Sequence, residues 1–281
     1  MTTTAILFPG QGSQTPTMRD DVERIRPDLL ALALECVGED PFARVGDGTR
    51  YAQPAIFCAS LAGWEELGRP EGEYMAGHSL GELAALVAAG VMSERTGLEL
   101  VALRGRLMQE SGERAGDGGM LALLGAGAAD HAAEIAGAHG LAVANDNSPQ
   151  QVVLSGERGG FEAASDAARE LGLRPMELPV AGAFHSPMME GAVPEFEAAL
   201  ARAELTPDGE HGATVVSAVT AQPFDDVRRR LAEALTSPVR WRETVLGMHE
   251  RGVRRFVEVG PGKVLTGLVK RTVRDVELVS G

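Results

Sequence analysis

The sequence of 281 residues predicts an α/β protein with a mainly parallel sheet. Two strand-to-loop transitions carry this prediction. An apolar run at residues 5–8 ends in a glycine-rich loop at residues 9–14, as a buried parallel strand does where it leaves its sheet. A second apolar run at residues 74–76 leads through a glycine-flanked turn into an apolar helix that we expect at residues 80–89.

The remaining elements of this unit follow from the periodicity of apolar residues. In the first part of the chain we expect helices at residues 24–37, 53–67 and 94–110. In the last part we expect helices at 194–203, at 227–235 and beyond Pro238, together with a strand at 214–218. A closing strand at 255–259 leads through Gly260-Pro261-Gly262 into a last helix at 263–272.

The middle of the chain has a different order of elements. It reads strand, helix, strand, strand, helix, strand at residues 120–124, 128–138, 141–144, 151–154, 161–171 and 174–180. This is the ferredoxin-like pattern. We therefore expect a ferredoxin-like small domain at residues 119–183, inserted into a large domain made of residues 1–118 and 184–281.

Charge and cysteine content narrow the classes of partner. The net charge is −14, which argues against nucleic acid and against an anionic membrane as main partners. Residues 224–281 nevertheless carry 12 basic and 8 acidic groups. Only Cys36 and Cys58 are cysteines, with no metal-ligand spacing, and no leader or membrane-spanning stretch is visible. We expect a cytoplasmic protein without a metal site.

The turn at residues 77–81 has the spacing Gly-x-Ser-x-Gly between a strand and a helix. This nucleophile elbow pushes the hydroxyl of Ser79 out of the sheet and is typical of α/β-hydrolase-like folds, so we expect the large domain to be α/β-hydrolase-like. The N-terminus of the following helix favours a developing oxyanion at the same place. The pattern alone is common in a chain with 35 glycines, and the strand and helix around it strengthen the prediction.

A nucleophilic serine needs a base, and His185 is the best candidate among the histidines. His78 is adjacent to Ser79, and neighbouring residues at an elbow point in different directions. His185 lies in an apolar loop at the predicted junction of the two domains, where clefts tend to form. The other four histidines, His131, His139, His211 and His249, are in polar or glycine-rich surroundings typical of a surface.

Arg104 and Arg106 are distinguished by a helical wheel of residues 94–110. Arg104 falls among apolar residues, whereas Arg106 falls beside Glu99 and Glu110 on the polar face. A guanidinium on an apolar face must find an anion or accept a desolvation cost of several kcal/mol. Either a buried ion pair or a clamp for a substrate carboxylate satisfies this requirement, and the wheel does not choose between them.

Gln11 follows the first strand directly, in a loop whose glycines allow close backbone approach to a ligand. In a serine acyl-transfer site, one oxyanion donor is the N–H after the nucleophile, here that of Leu80, and a second comes from a neighbouring strand-end loop. Gln11 is therefore a candidate for the second donor. The alternative is a polar residue in a surface turn.

Five motifs in order along the chain resemble the malonyl-CoA:acyl carrier protein transacylase family, including the discrete acyltransferases of polyketide synthases. They are Pro9-Gly10-Gln11-Gly12-Ser13-Gln14, Gly77-His78-Ser79-Leu80-Gly81-Glu82, Arg104-Gly105-Arg106-Leu107-Met108-Gln109, Ala183-Phe184-His185-Ser186 and Glu258-Val259-Gly260-Pro261-Gly262-Lys263. The resemblance extends from residue 6 to about residue 272. Five motifs in the family's order are far more specific than any one of them.

The resemblance implies a ping-pong reaction. Ser79 would take the acyl group from malonyl-CoA, His185 would shuttle the proton, and the phosphopantetheine thiol of an acyl carrier protein would resolve the acyl-serine. A backbone carbonyl in the segment 237–241 would orient His185. Gln11 and Leu80 would supply the oxyanion N–H groups, and Arg104 would bind the malonyl carboxylate.

The same resemblance implies further substrate contacts. Phe184 before His185 is similar to the malonyl-selective form of its motif, so methylmalonyl is the less favoured substrate. His78, Asn147 and Arg240 are candidate substrate contacts, and Asn145 is another. No resident cofactor is implied, since the CoA thioester is the substrate. We expect a monomer.

Two other classes share parts of the pattern. A serine hydrolase of the lipase or thioesterase kind has the same elbow, but it predicts a third acid and needs no buried arginine. A non-catalytic subunit that binds a carrier protein would fit the acidic surface and the loop of mixed character at Arg240. For the transferase, in contrast, the basic residues near the C-terminus are expected to attract the CoA phosphates or an acidic carrier; they include Arg228, Arg229, Arg230, Arg240, Lys263, Lys270 and Arg271. Whether the carrier serves fatty acid synthesis, a polyketide pathway or a malonate decarboxylase is open.

Overall fold

The computed structural model describes residues 2–180, 182–206 and 212–281, and these residues form two sheets with helices around them. The ten strands are β1 (Thr3–Phe8), β2 (Tyr74–Gly77), β3 (Gly118–Leu124), β4 (Ala142–Ser148), β5 (Gln151–Glu157), β6 (Arg174–Glu177), β7 (Thr214–Ser217), β8 (Gln222–Pro223), β9 (Val253–Glu258) and β10 (Glu277–Ser280). The first sheet has the order β10-β9-β1-β2-β7-β8, and the second has the order β4-β5-β3-β6.

Eleven α-helices are found in the described residues. They are α1 (Met18–Ile25), α2 (Pro27–Val37), α3 (Thr49–Glu66), α4 (Gly81–Ala88), α5 (Glu94–Ala115), α6 (Ala128–Ala138), α7 (Phe161–Glu170), α8 (Val193–Arg202), α9 (Val227–Glu233), α10 (Trp241–Glu250) and α11 (Val264–Thr272). Short 3₁₀ helices lie at Val45–Asp47, Arg158–Gly160 and Pro187–Ala192.

The six-stranded sheet is parallel except where β8 pairs antiparallel with β7. Its central strand β1 is buried on both faces, because Ile6 and Phe8 pack into one core and Ala5 and Leu7 into another. Such two-sided burial is the reason its sequence is continuously apolar rather than alternating. The sheet brings the loops after β1 and β2 to one edge, since parallel strands end on the same side.

The four-stranded sheet is antiparallel throughout, with β3 between β5 and β6. Its helices α6 and α7 pack on it through a separate apolar core that includes Leu121, Ile135 and Phe161. The order strand, helix, strand, strand, helix, strand matches the predicted one. The chain enters this unit through Asp117 and Gly118 and leaves it after Glu177.

The helix expected at residues 24–37 is instead two helices, α1 and α2. They meet at Arg26, whose backbone has φ −136° and ψ 64° and is therefore not helical. Pro27 explains the break, since the residue before a proline is pushed out of the helical region, while proline itself fits the first position of a helix. Strands β8 and β10 and most of α1 were not predicted. The predicted surface residue His211 lies outside the described residues.

Candidate active site

Ser79 lies at the sharp turn between β2 and α4. Its φ is +55°, a conformation that an L side chain rarely adopts. A Cβ on Gly77 would lie 1.9 Å from the carbonyl carbon of Gly81, and a Cβ on Gly81 would lie 2.2 Å from the carbonyl oxygen of Phe8. Both glycines are therefore needed for α4 to start this close to the ends of β1 and β2.

His185 lies beside Ser79, and it also has a positive φ of +58°. Its Nε2 is 2.9 Å from the Oγ of Ser79. Its Nδ1 is 2.8 Å from the carbonyl oxygen of Ala234, at the C-terminal end of α9. The two left-handed backbones are strained positions held by their surroundings, as is common where side chains must meet for chemistry.

The orienting carbonyl was predicted in segment 237–241, whereas the Nδ1 hydrogen bond goes to Ala234. The backbone of Ser237, inside that segment, also acts on His185 and raises its pKa. The reason for the bond to Ala234 lies in Pro238, four residues after Ala234. A helix would continue by donating the N–H of residue 238 to the Ala234 carbonyl, but proline has no N–H. That carbonyl stays free for His185, at a helix end whose dipole favours a positively charged imidazole.

The pKa of His185 is lowered to about 3, mainly by burial and in smaller part by the nearby charges of Arg104 and His78. His185 is therefore neutral at pH 7. With Nδ1–H donated to Ala234, Nε2 is left as the acceptor for the Ser79 hydroxyl proton. The pair thus has the hydrogen bonding of a nucleophile and its general base.

Arg104 extends from α5 toward the same hydroxyl and is 3% exposed. Its Nη2 donates to Ser79 Oγ at 3.1 Å, and its Nη1 donates to the side-chain carbonyl of Gln53 at 2.8 Å. Within residues 2–180, 182–206 and 212–281, no carboxylate oxygen lies within 4.0 Å of this guanidinium. Of the two alternatives left open by the wheel, a contact ion pair is therefore not found in the described part of the chain.

Electrostatics at Arg104 are dominated by its burial, which lowers its pKa to about 10, while the charge of Glu82 opposes this shift. Arg104 is still protonated at pH 7. Arg106, two residues later, pairs at the surface with Glu110 and Glu195, as the wheel indicated. The two arginines therefore lie on opposite faces of one helix.

Gln53 is a site residue that the sequence reasoning missed. It is 2% exposed in α3, its carbonyl oxygen accepts from Arg104, and its Nε2 donates to Thr49 Oγ1 at 2.8 Å. The available signal was a lone amide in the otherwise apolar run at residues 51–59 of that helix. A buried amide requires partners, so such a residue indicates a polar site nearby.

Glu82 is the second missed residue. It is 2% exposed in α4, just behind the elbow, and its Oε1 accepts the backbone N–H of Ala218 at 2.8 Å. Burial raises the pKa of Glu82 to about 7, against the opposing effects of that hydrogen bond and of Arg104. The carboxylate therefore ties α4 to the chain after β7, and it is the acidic group whose charge Arg104 senses.

A cavity of about 290 Å³ surrounds these groups. Its lining includes most of the predicted site residues, namely Gln11, His78, Ser79, Leu80, Arg104, Phe184 and His185. The small unit closes the other side with Met120, Asn145 and residues 178–180. The cavity therefore lies between the two units, where the sequence predicted a cleft.

Of the predicted substrate contacts His78, Asn147 and Arg240, only His78 lines the cavity. His78 lines the cavity and its Nε2 is 2.7 Å from Oδ1 of Asn147, which is 6% exposed and not among the cavity's lining residues. Arg240 is not brought to the site. Its guanidinium pairs with Glu243 and donates to the carbonyl of Thr220 at 3.2 Å, so its hydrogen bonds are made outside the cavity.

Several of the basic C-terminal residues already have partners within the protein. Arg229 and Arg230 pair with Asp225, and Arg228 donates to the carbonyls of Leu200 and Ala203.

Among the described residues, no cluster of three or more His, Cys, Asp or Glu is arranged to hold a metal ion. None of the helices in the described ranges has the length and apolar character of a membrane span.

Comparison with known proteins identifies the class. The model of the acyl transferase domain family matches residues 37–280, and the chain therefore belongs to that family. It is similar to the malonyl CoA-acyl carrier protein transacylase of Escherichia coli K12, with 37% identity over 290 residues, 97% of this chain and 94% of that protein. The resemblance to the malonyl-CoA:acyl carrier protein transacylase family is thus confirmed, as is the prediction of an acyltransferase enzyme.

Further relatives and solved structures are similar to this chain. The polyketide biosynthesis protein ThaF of Burkholderia thailandensis is 39% identical over 295 residues, which are 99% of this chain and only 25% of that protein. An acyl carrier protein S-malonyltransferase of Vibrio cholerae has a TM-score of 0.87 and 37% identity, covering 100% of this chain and 97% of that one. A malonyl-transacylase in complex with its type II PKS acyl-carrier protein also has a TM-score of 0.87, with 35% identity over 100% of this chain and 96% of that one. The α/β fold is therefore the fold of these enzymes.

Proposed function

We propose that this protein transfers a malonyl group from malonyl-CoA to the phosphopantetheine thiol of an acyl carrier protein through an acyl-serine on Ser79. The observation that carries the proposal is the buried guanidinium of Arg104, 3.1 Å from Ser79 Oγ and without a carboxylate in contact among the described residues. An acyl group bound at Ser79 would meet this cation, so an acyl group that ends in a carboxylate fits the site.

In the acylation step, Ser79 Oγ attacks the thioester carbonyl carbon of malonyl-CoA, and its proton passes to Nε2 of His185. The C–S bond then breaks, and the departing CoA thiolate takes that proton from His185. The backbone N–H groups of Gln11 and Leu80 would hold the oxyanion between these events. Both residues line the cavity with Ser79. Among the described residues, neither the N–H of Gln11 nor that of Leu80 donates a hydrogen bond to the protein.

The second half-reaction reverses the roles. His185 takes the proton of the phosphopantetheine thiol, the resulting thiolate attacks the acyl-serine carbonyl, and Ser79 recovers the proton as its ester bond breaks. A thioester is consumed and a thioester is formed, so the exchange needs no resident cofactor or metal. The low pKa of His185, about 3, supports a base that is neutral when each half-reaction starts.

Substrate choice would rest on Arg104 and Phe184. A charge-assisted hydrogen-bonded pair is worth about 1.5–3 kcal/mol, which corresponds to roughly 10- to 150-fold preference for malonyl over acetyl. Phe184 is buried in the cavity wall, where a Cβ on Gly182 would lie 2.7 Å from its ring. A ring held this closely leaves little room for a 2-methyl branch, so malonyl is favoured over methylmalonyl.

The domain division is part of the same proposal. The strand order β4-β5-β3-β6 and its antiparallel pairing support a ferredoxin-like insert at residues 119–183 in an α/β-hydrolase-like large domain. The names of the relatives support an acyl carrier protein as partner. The cytoplasmic location, the monomeric state and the pathway of the carrier stay predictions.

Intact-mass measurement after brief incubation with malonyl-CoA tests the proposal. The expected adduct has the mass of one malonyl group, is absent in Ser79→Ala, and is retained in Ser93→Ala, a serine at the exposed N-terminus of α5. A chase with a purified holo carrier protein should move the label to the carrier. An adduct that persists in Ser79→Ala, or release of free malonate faster than transfer to any of a panel of carriers, would overturn the proposal.

A further inference from the structure

Arg158 lies where the chain passes between the two units, on the 3₁₀ helix that follows β5. The chain enters the small unit through Asp117 and Gly118 and leaves it through residues 177–180. We propose that Arg158 is a positioning residue that holds these two crossings together and thereby fixes the wall of the acyl cavity formed by residues 178–180. The inference rests on the proposed function and adds a determinant of its selectivity.

One guanidinium bonds to both crossings. Nη1 donates to the carbonyl of Gly118 at 2.8 Å, on the entering strand, and Nη2 donates to the carbonyl of Val180 at 3.1 Å, on the leaving segment. Nε donates to the carboxylate of Glu177 at 2.6 Å. The backbone N–H of Arg158 also donates to the carbonyl of Asp117 at 2.9 Å. Arg158 therefore ties two segments that are far apart in sequence.

The leaving segment is also a wall of the acyl cavity. Leu178, Pro179 and Val180 line the cavity that contains Ser79 and Arg104, and the same three residues line a second groove on the side of Arg158. This single stretch of chain therefore separates the acyl cavity from the groove beside Arg158. Besides the bond from Arg158, the backbone bonds of this segment among the described residues are from Leu178 N–H to the carbonyl of Met120 at 2.9 Å and, within the segment, from Val180 N–H to the carbonyl of Leu178 at 2.8 Å.

The entering strand contacts the residues that precede His185. A Cβ on Gly118 would lie 3.1 Å from the backbone nitrogen of Ala183, so the two backbones are nearly in contact. Ala183 is followed by Phe184, whose ring we propose excludes a branched acyl group. Holding Gly118 against Val180 therefore limits how far Phe184 and the wall can move apart.

Arginine suits this role better than lysine. The bonds to Gly118, Val180 and Glu177 use three N–H groups that diverge in one plane, and a planar fork is preorganised for such a set. An ammonium on a flexible stem is a single point of attachment. Arg158→Lys should keep the charge and part of the bonding, while Arg158→Met keeps an apolar stem and loses all three bonds.

The test is the ratio of kcat/KM for malonyl-CoA to kcat/KM for methylmalonyl-CoA, measured with the full-length protein and a holo carrier. A small displacement of the wall relaxes the exclusion of one methyl group, which is worth roughly 10- to 200-fold at most. We expect the ratio to fall roughly 5- to 20-fold in Arg158→Met and by a smaller factor in Arg158→Lys. Loss of folded protein lowers both rates equally and leaves the ratio unchanged.

Arg169→Met is the matched control, because Arg169 lies in the same unit and, as far as the described residues show, forms its one ion pair with Asp166 at the surface. Its ratio should stay within about twofold of the parent. An unchanged ratio in both Arg158 variants, or an equal fall in Arg169→Met, would overturn the inference. If Arg158→Met does not fold, the malonyl-to-methylmalonyl ratio of Arg158→Lys tests the inference: a fall supports it and an unchanged ratio overturns it. A parent protein that forms no adduct on Ser79 with either thioester would instead contradict the proposed function.

Discussion

Arg104 and Arg106 lie two residues apart on α5 and have opposite surroundings. Arg106 is about one-third exposed and pairs with Glu110 and Glu195, whereas Arg104 is 3% exposed and donates to Ser79 and Gln53. Exposed pairs of the first kind are worth about 0.2–1 kcal/mol and mainly keep a surface charged. A buried guanidinium with only neutral partners in contact is costly unless an anion joins it, and this difference is the reason for proposing that a substrate carboxylate binds at Arg104.

The largest effect that separates the two arginines is expected from Arg104→Gln. Its kcat/KM with malonyl-CoA should fall roughly 10- to 150-fold more than with acetyl-CoA, because the charge-assisted pair is made only with the dicarboxylic acyl group. Arg106→Gln should change both within about twofold. Equal losses with the two thioesters in Arg104→Gln would show that Arg104 supports the fold or the hydroxyl and does not bind the carboxylate.

A smaller effect is expected from Gln53→Leu. The Nη1 of Arg104 would lose its acceptor at 2.8 Å, and the guanidinium would be freer to turn away from the acyl group. KM for malonyl-CoA should rise roughly 5- to 20-fold with a smaller change in kcat, as for a hydrogen bond to a charged group. Gln222→Leu, at an exposed position, is the control. A loss confined to kcat would contradict the role of Gln53 in holding Arg104.

The smallest effect concerns pH. The pKa of His185 is lowered to about 3, so its neutral, active form persists as the pH falls from 8 to 5. Arg104, with a pKa lowered to about 10, stays protonated over the same range. We therefore expect kcat/KM for malonyl-CoA to change less than about threefold between pH 8 and 5. Glu82, whose pKa burial raises to about 7, also titrates in this range, so Glu82→Gln is the control. A steep loss centred near pH 6.5 that persists in Glu82→Gln would mean that His185 has an ordinary pKa.

The variant Arg104→Gln sharpens this test. The positive charge of Arg104 is one cause of the lowered pKa of His185, so its removal should raise that pKa. The acid limb of acetyl transfer should then begin at a higher pH in Arg104→Gln than in the parent. An acid limb at the same pH in Arg106→Gln and a shifted one in Arg104→Gln would assign the effect to the buried face of α5.

Local patterns predicted the parts of the site that depend on local geometry. The elbow at Ser79 requires glycines on either side, and the structure shows both to be sterically necessary. The helical wheel placed Arg104 and Arg106 on different faces because helix periodicity fixes side-chain direction. The order of strands and helices in the middle unit was likewise predicted, because short apolar runs there alternate with helical stretches.

Contacts between distant segments were not predictable in the same way. Ala234 accepts from His185 only because α9 ends beside the loop of His185, a meeting that no local pattern encodes. Gln53 meets Arg104 through the packing of α3 on α5. Arg240 was placed in the site by resemblance, yet Glu243 three residues later pairs with it. The break at Arg26 is a local effect of Pro27, so here the sequence does contain the signal that the expected single helix at residues 24–37 lacked.

A competition experiment on the parent protein tests the central claim most directly. Equal concentrations of malonyl-CoA and acetyl-CoA would be mixed with the enzyme for less than one turnover, and the adducts on Ser79 would be measured by intact mass. The account predicts a malonyl adduct in at least roughly tenfold excess, and an excess close to that of the parent in Arg106→Gln but largely lost in Arg104→Gln. Equal amounts of the two adducts in the parent would contradict it.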